Sequence, residues 1–125
     1  MGEGKKITNF QDLNGWQASR KLFFMVFRIT KKFPKEEVYS SVSQMRRAAM
    51  SVSSNIAEGF GRSSKADKLH FYVMARGSLT EVQNQLILTA DVELTGKQDL
   101  QTALDQAEIT HKLIVGLIKS TEQRK

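Results

Sequence analysis

The sequence contains no cysteine and only one proline among 125 residues. The lack of cysteine excludes a disulfide framework and a thiolate metal site, and it fits a reducing cytoplasm. The longest apolar runs, at 22–27 and 113–118, have 6 residues, whereas a membrane-spanning helix needs about 20. The first residues, MGEGKKI, lack the apolar core of a signal peptide. We therefore expect a cytoplasmic protein that is neither exported nor inserted in a membrane.

Apolar residues recur with a helical period along most of the chain, and the alternation typical of strands is scarce. Four helices are predicted, at approximately 11–32, 36–60, 65–95 and 98–122. Pro34 ends the first helix, because the residue before a proline is biased out of the α region. Gly59 and Gly61 are expected to end the second helix with the positive φ of a C-cap. Ser63 or Ser64 is expected to cap the third.

Helices of this number and length, joined by short connections, predict an all-α fold, an up-down-up-down antiparallel four-helix bundle. Residues 1–125 form a single domain in this prediction, and residues 1–9 form a flexible N-terminal tail. The second helix carries a core-facing seam of apolar residues at helical spacing. Its members are Val38, Val42, Met45, Ala49, Val52, Ile56 and Phe60.

Two helices carry more apolar surface than one core needs. The first helix is apolar on two opposed sides, and the third has a mixed second face. On the first helix Leu13, Trp16, Phe23 and Phe27 oppose Leu22, Val26, Ile29 and Phe33; on the third helix the second face contains Met74, Ser78, Glu81, Gln85, Leu88 and Val92. Surplus apolar surface usually marks an interface between subunits, so we expect a homo-oligomer.

A polar stripe runs along the second helix, away from the apolar seam. Small and hydrogen-bonding side chains dominate it, whereas a solvated face favours long Lys and Glu. If the turn is centred near Arg62, residues 47–51 lie level with residues 73–77, and Ala48 and Ser51 would meet Ala75 and Gly77. The stripe is either a structural network or a surface for a ligand or protein partner. Its candidate residues are Arg46, Arg47, Ser51, Asn55, Glu58 and Arg62, with Ser78 and Glu81 of the third helix.

The net charge of +6 is concentrated at the start of the chain. Residues 1–35 contain 8 Lys or Arg against 2 acidic residues, which gives +6, and the rest of the chain sums to zero. This asymmetry favours an anionic partner such as nucleic acid, although a basic surface also keeps a protein dispersed. A stripe of cations on one helix can track phosphates without reading bases. The candidate nucleic-acid-binding residues are Arg20, Lys21, Arg28, Lys31, Lys32 and Lys35.

Residues for catalysis or metal binding are not arranged in a usable set. Glu108 with His111, and Asp67 with His70, have the spacing of metal-binding helical bundles. The two histidines nevertheless differ in height by about 16 Å when counted from the turn between the last two helices. No Ser-His-acid set stands out either. We therefore expect a non-enzymatic protein with no metal and no cofactor.

Two segments carry a resemblance to a known family. Residues 51–62, SVSSNIAEGFGR, and residues 71–83, FYVMARGSLTEVQ, resemble the signature of a bacterial four-helix bundle family. That family includes proteins encoded in intervening sequences of large-subunit ribosomal RNA genes. The opening is also similar, with Phe10, Leu13 and Trp16, and a Phe33-Pro34 turn followed by acids. The resemblance covers approximately residues 10–94.

The resemblance implies a pentameric barrel of bundles, and it extends distantly to the accessory variability determinant protein of retroelements, which binds nucleic acid. Together with the basic stripe, it predicts a homo-oligomer, most simply a pentamer, that binds nucleic acid and RNA in particular. The alternative is a scaffold that binds another protein through the polar surface between Asn55 and Arg62.

Overall fold

The structure is a computed structural model, and it describes residues 6–124. Four α-helices dominate it: α1 (Asn14–Lys31), α2 (Ser43–Phe60), α3 (Lys65–Asp91) and α4 (Lys97–Glu122). The described residues contain no strand. Each helix packs against two others, in the ring order α1, α2, α3, α4. The prediction of an all-α four-helix bundle is confirmed.

A short 3₁₀ turn, Phe10–Asp12, precedes α1 and makes α1 begin at Asn14 rather than near Gln11. The Asn9 side chain accepts a hydrogen bond from the Gln11 backbone N–H at 2.8 Å, and the Asp12 carboxylate accepts one from the Asn9 backbone N–H at 3.2 Å. These reciprocal contacts stabilise the turn as a capping box. Residues 1–5 of the expected tail 1–9 lie outside the described residues.

Two unusual turns lead into α2. A 3₁₀ turn spans Lys35–Glu37, and a π-helical turn spans Val38–Val42. Because a π turn holds more residues than an α turn, it changes the angular phase along the helix. Val38 is consequently exposed, although Val42 and the four seam residues from Met45 to Ile56 are buried. The predicted core seam of α2 is therefore confirmed from Val42 to Ile56; it is wrong at Val38, and Phe60 is only partly buried.

The core runs through the centre of the bundle and draws on every helix. Fully buried side chains include Leu22 and Val26 of α1, Leu79 of α3 and Ile114 of α4. Phe33 closes the core near the Pro34 turn with 8 % of its surface exposed. One of the two apolar sides predicted for α1 is buried in the core; of the other side, Leu13, Trp16 and Phe23 pack partly buried against the core and Phe27 is exposed. Within residues 6–124, no helix pairs enough length with enough apolar character to cross a membrane.

The helix ends differ from the prediction at the glycines. Ser64 caps α3 as predicted, because its Oγ accepts a hydrogen bond from the Asp67 backbone N–H at 3.1 Å. Gly59 and Gly61 do not adopt a positive φ, and Gly61 has a φ of −78°. The left-handed residue is instead Glu93, with a φ of 65°, just after the C-cap of α3. The expectation of positive-φ glycines at the end of α2 was wrong.

The α2–α3 register also differs from the prediction. Ser51 Oγ lies 2.9 Å from Ser78 Oγ, which places the centre of the turn nearer Ser64 than Arg62. Gly77 is exposed, and a Cβ added there would meet no atom within 4 Å. The predicted close contact of Ala48 and Ser51 with Gly77 was therefore wrong. Close approach occurs at Gly59, where an added Cβ would lie 2.6 Å from Tyr72 Cε1.

Candidate nucleic-acid interface and polar surface

All six candidate nucleic-acid-binding residues are exposed. Lys21, Arg28 and Lys32 are spaced at i, i+7 and i+11 along the first helix, so helical geometry predicts that they share a face. We call the six residues the basic ridge. They are Arg20, Lys21, Arg28, Lys31, Lys32 and Lys35. Three of them border a groove of ≈ 510 Å³ between α1 and α4, together with Asp99 and Thr102 of α4.

One member of the basic ridge is already paired. Lys32 Nζ lies 3.0 Å from Asp99 Oδ2, and the side chains are 69 % and 35 % exposed. Such an exposed ion pair contributes about 1 kcal/mol or less and is weakened by salt. Among residues 6–124, no other ridge residue forms an ion pair. The ridge therefore keeps most of its positive charge available to an external anion.

An exposed aromatic residue, Phe24, lies within the basic ridge. It is 52 % exposed and stands four residues after Arg20, three after Lys21 and four before Arg28. Residues three and four apart are neighbours on a helix surface, so the positions of three cations lie within about one turn of Phe24. The Arg20 guanidinium lies 5.9 Å from the Phe24 ring centroid and 5.6 Å from the Trp16 ring. Charge counting missed Phe24, although its spacing to the cations was readable in the sequence.

The polar surface of α2 and α3 contains a hydrogen-bonded centre. Ser51 and Ser78 are joined across the two helices, and Asn55 Nδ2 donates to the Ser51 backbone carbonyl at 2.9 Å and to Ser51 Oγ at 3.0 Å. Arg47, Ser51 and Glu81 border a groove of ≈ 260 Å³ beside this centre. The structure thus brings together five of the eight residues proposed for this surface.

Arg46 lies apart from that centre. Its Nε donates to Thr30 Oγ1 at 2.9 Å, and its guanidinium carbon lies 3.9 Å from the Phe27 ring centroid. Both contacts are made with α1, on the opposite side of α2 from Ser51. Adjacent helical positions differ by about 100°, so Arg46 and Arg47 face different neighbours. The expectation that Arg46 joins the other seven residues in one surface was therefore wrong.

Glu58 and Arg62 form a second pair at the end of α2. Arg62 Nη2 lies 2.8 Å from Glu58 Oε2 at the predicted i, i+4 spacing. The Arg62 guanidinium also lies 4.7 Å from the Phe71 ring centroid of α3. The two side chains are 44 % and 53 % exposed, so the ion pair itself adds little stability. Their contacts connect the end of α2 to the start of α3.

One buried polar atom of this surface has no partner. Gln85 Nε2 donates to Glu81 Oε2 at 3.4 Å, while Gln85 Oε1 is buried without a hydrogen-bond donor among the described residues. A buried acceptor without a partner costs about 1–3 kcal/mol. The Gln85 amide oxygen is therefore an acceptor that the described residues leave unsatisfied, one turn from Glu81 on α3.

The two histidines do not form a common site. His70 is exposed and lies edge-to-face against Phe71 at 5.3 Å, while His111 is partly buried on α4. Within residues 6–124, no three His, Asp or Glu side chains are grouped as metal ligands. The arrangement gives no specific support to a catalytic or metal-dependent reaction.

Comparisons with known proteins address the fold and the family. A crystal structure from Bacteroides thetaiotaomicron, of a protein with unknown function from the S23 ribosomal protein family, is similar to this chain with a TM-score of 0.77. The two are 20% identical, and the match covers 84% of this chain and 95% of the other. No curated protein sequence matches. The sequence pattern of the 23S rRNA-intervening sequence protein family matches residues 11–116, and the chain therefore belongs to that family.

Proposed function

We propose that this protein binds single-stranded nucleic acid, RNA in particular, through the basic ridge of α1. The observation that carries the proposal is Phe24, an exposed aromatic ring that lies 5.9 Å from the Arg20 guanidinium and about one helical turn along the chain from Lys21 and Arg28. An aromatic side chain can stack on an unpaired base while neighbouring cations contact phosphates. A charged face that only kept the protein dispersed would not require a ring at its centre.

The spacing of the cations suits a phosphate backbone. With a rise of 1.5 Å per residue, Lys21 and Arg28 are about 10 Å apart along α1, and Arg28 and Lys32 are about 6 Å apart. These intervals are close to one or two phosphate spacings of a strand. Asp99 is the one acidic residue of the groove, and a bound phosphate would compete with it for Lys32. Contacts of this kind give affinity without sequence specificity.

Self-association would place several basic ridges in one assembly. The bundle exposes large apolar side chains on α2 and α3 as well, including Met50 and Leu88, each more than half exposed. We propose that part of this surface is covered in a homo-oligomer, and the family resemblance makes a pentamer the expected form. Several ridges in one assembly would bind a long strand with much higher avidity than one ridge.

The test is a salt-titrated gel shift with labelled single-stranded RNA. If about four cations contact phosphates, the logarithm of the binding constant should fall with a slope of about −2.8 against the logarithm of salt concentration. Binding should then weaken about 50-fold between about 50 and about 200 mM salt. A Lys21→Glu, Arg28→Glu, Lys32→Glu variant should bind far more weakly and with a shallower slope.

The matched control places the same charge change elsewhere. Lys65, Lys97 and Lys119 are exposed on α3 and α4, so their replacement by Glu changes the net charge equally without touching the ridge. RNA binding by this control variant should weaken only slightly, through the general effect of net charge. A separate Phe24→Ala variant should weaken RNA binding by about 1–3 kcal/mol for the lost stacking. Equal losses in the ridge and control variants, or full binding by Phe24→Ala, would contradict the proposal.

The alternative is a protein-binding scaffold, which the unpartnered acceptor of Gln85 favours. In this case a protein segment would donate a hydrogen bond into the groove of Arg47, Ser51 and Glu81. Reversing the charges of Glu58 and Arg62 together should then leave folding intact and remove the partner from pull-downs. Weak, salt-labile RNA binding with a specific protein partner would favour this alternative over the ridge.

A further inference from the structure

A cavity of ≈ 410 Å³ lies at the end of the bundle where α1 and α3 begin and α2 and α4 end. We call it the end cavity. Its lining residues are Ile7, Leu13, Phe60, Lys68, Tyr72, Leu117, Ser120, Thr121 and Arg124. Two of them are cations, three carry hydroxyls and four are apolar; no carboxylate of the described chain belongs to the lining. None of them belongs to the basic ridge.

The Tyr72 hydroxyl is the least expected group in the end cavity. The residue is only 2 % exposed, and its hydroxyl forms no hydrogen bond within the described residues. The hydroxyl oxygen itself keeps some contact with solvent, because the one fully buried and unpartnered side-chain polar atom of the described residues belongs to Gln85. A tyrosine hydroxyl on an otherwise buried ring usually has a partner. Burial raises the pKa of Tyr72 above its ordinary value, so the phenol stays protonated and remains a donor. A free donor inside a cavity fits a ligand that brings an acceptor.

Two positive charges face the same space. Lys68 Nζ donates to the Phe60 carbonyl at 2.7 Å and the Gly59 carbonyl at 3.4 Å, which holds the ammonium at the end of α2. Burial lowers the pKa of Lys68, and the nearby Arg124 charge lowers it further. Lys68 and Arg124 repel each other beside the Tyr72 hydroxyl, and a bound anion would reduce this repulsion. The cationic wall of the cavity is therefore Lys68, Arg124 and Tyr72.

The remaining lining residues indicate that the ligand has an apolar part. Ile7, Leu13, Phe60 and Leu117 form the apolar wall of the cavity, and the Phe60 ring centroid lies 5.5 Å from Lys68 Nζ. Ligand sites commonly combine such an apolar lining with a few polar groups that orient the ligand. We infer that the end cavity binds a small organic anion, whose phosphate or carboxylate head is held by the cationic wall and whose apolar body contacts the apolar wall.

The test uses phenyl phosphate as the probe and the full-length chain as the protein. Isothermal titration at constant ionic strength compares phenyl phosphate with inorganic phosphate, and benzoate replaces the phosphate head with a carboxylate. Phenyl phosphate should bind at least about 10-fold more tightly than inorganic phosphate, because its ring is removed from water against the apolar wall. Equal binding of the two phosphates would overturn the assignment of an organic ligand. The benzoate titration shows which of the two head groups the cationic wall prefers. Failure of both phenyl phosphate and benzoate to bind would overturn the inference of an anion site.

Two variants connect binding to the cavity. Tyr72→Phe keeps the ring that packs against Gly59 and removes only the hydroxyl, and Arg124→Gln removes one positive charge. Each should weaken phenyl phosphate binding about 10-fold, because each removes a donor to a charged acceptor. Circular dichroism should show the same helix content in both.

Lys65→Gln is the matched control for charge at this end. Lys65 Nζ donates to the Glu122 carbonyl at 3.0 Å, and the residue does not line the cavity. Its replacement should leave phenyl phosphate binding unchanged. The inference is overturned if the wild-type protein binds neither phenyl phosphate nor benzoate at millimolar concentration. It is also overturned if Tyr72→Phe binds as well as wild type, or if Lys65→Gln loses as much affinity as Arg124→Gln.

Discussion

Replacing Gly59 with alanine tests the closest contact between α2 and α3. The added Cβ would lie 2.6 Å from Tyr72 Cε1, 2.9 Å from Tyr72 Cδ1 and 3.0 Å from Phe71 Cβ. The Tyr72 ring is almost completely buried, so it cannot turn away into solvent. Overpacking of this kind costs about 1–3 kcal/mol, whereas the better helix propensity of alanine returns at most about 1 kcal/mol. We expect a net loss of about 1–2 kcal/mol in the free energy of unfolding.

Gly77 provides a matched control on the neighbouring helix. It is exposed in the interior of α3, and its added Cβ would meet nothing within 4 Å. Gly77→Ala should therefore raise the free energy of unfolding by about 0.5–1 kcal/mol, because only the conformational cost of glycine is removed. The same chemical change should thus have opposite signs at the two positions.

Urea unfolding followed by circular dichroism measures both effects as shifts of the midpoint at constant slope. Protein concentration must be equal in all samples, because the stability of an oligomer depends on it. In a Tyr72→Ala background, the cost of Gly59→Ala should fall, because the ring that it meets is gone. A Gly59→Ala protein as stable as wild type would refute the close-packing explanation for this glycine.

Three further predictions concern helix ends and ionisation. Glu93→Gly should raise the unfolding free energy by about 0.5–1 kcal/mol, since the φ of 65° strains a side-chain-bearing residue; a lower midpoint in urea would contradict this. Ser64→Ala should lower it by about 1 kcal/mol through loss of the cap on the Asp67 N–H, whereas Ser63→Ala should have little effect on the same curves. Burial raises the pKa of Tyr72 above 10.0, so the wild-type protein should lose stability as the pH rises beyond about 10, where the unfolded phenol ionises first. Tyr72→Phe should lack that part of the loss, and identical pH profiles of melting temperature for the two proteins would exclude the ionisation of Tyr72 as its cause.

Local patterns in the sequence were sufficient for the helices and much of the core. The 3.6-residue period of Val42, Met45, Ala49 and Val52 identified the buried face of α2, because side chains on one helix keep a fixed angular relation. The Ser64 cap and the Glu58–Arg62 pair also depend on residues within one turn of each other. The exposure of the basic ridge followed from the same reasoning.

Relations between helices needed the tertiary structure. The sequence placed Arg46 and Arg47 in one surface, but the packing of α2 between α1 and α3 directs them to different neighbours. The close approach predicted at Gly77 occurs instead at Gly59. A shift of a few residues in the turn after α2 moves every contact between α2 and α3. The free hydroxyl of Tyr72 and the end cavity became visible only when all four helix ends were assembled. A helix face is set by neighbours along one chain segment, whereas a register or a cavity depends on where separate segments meet.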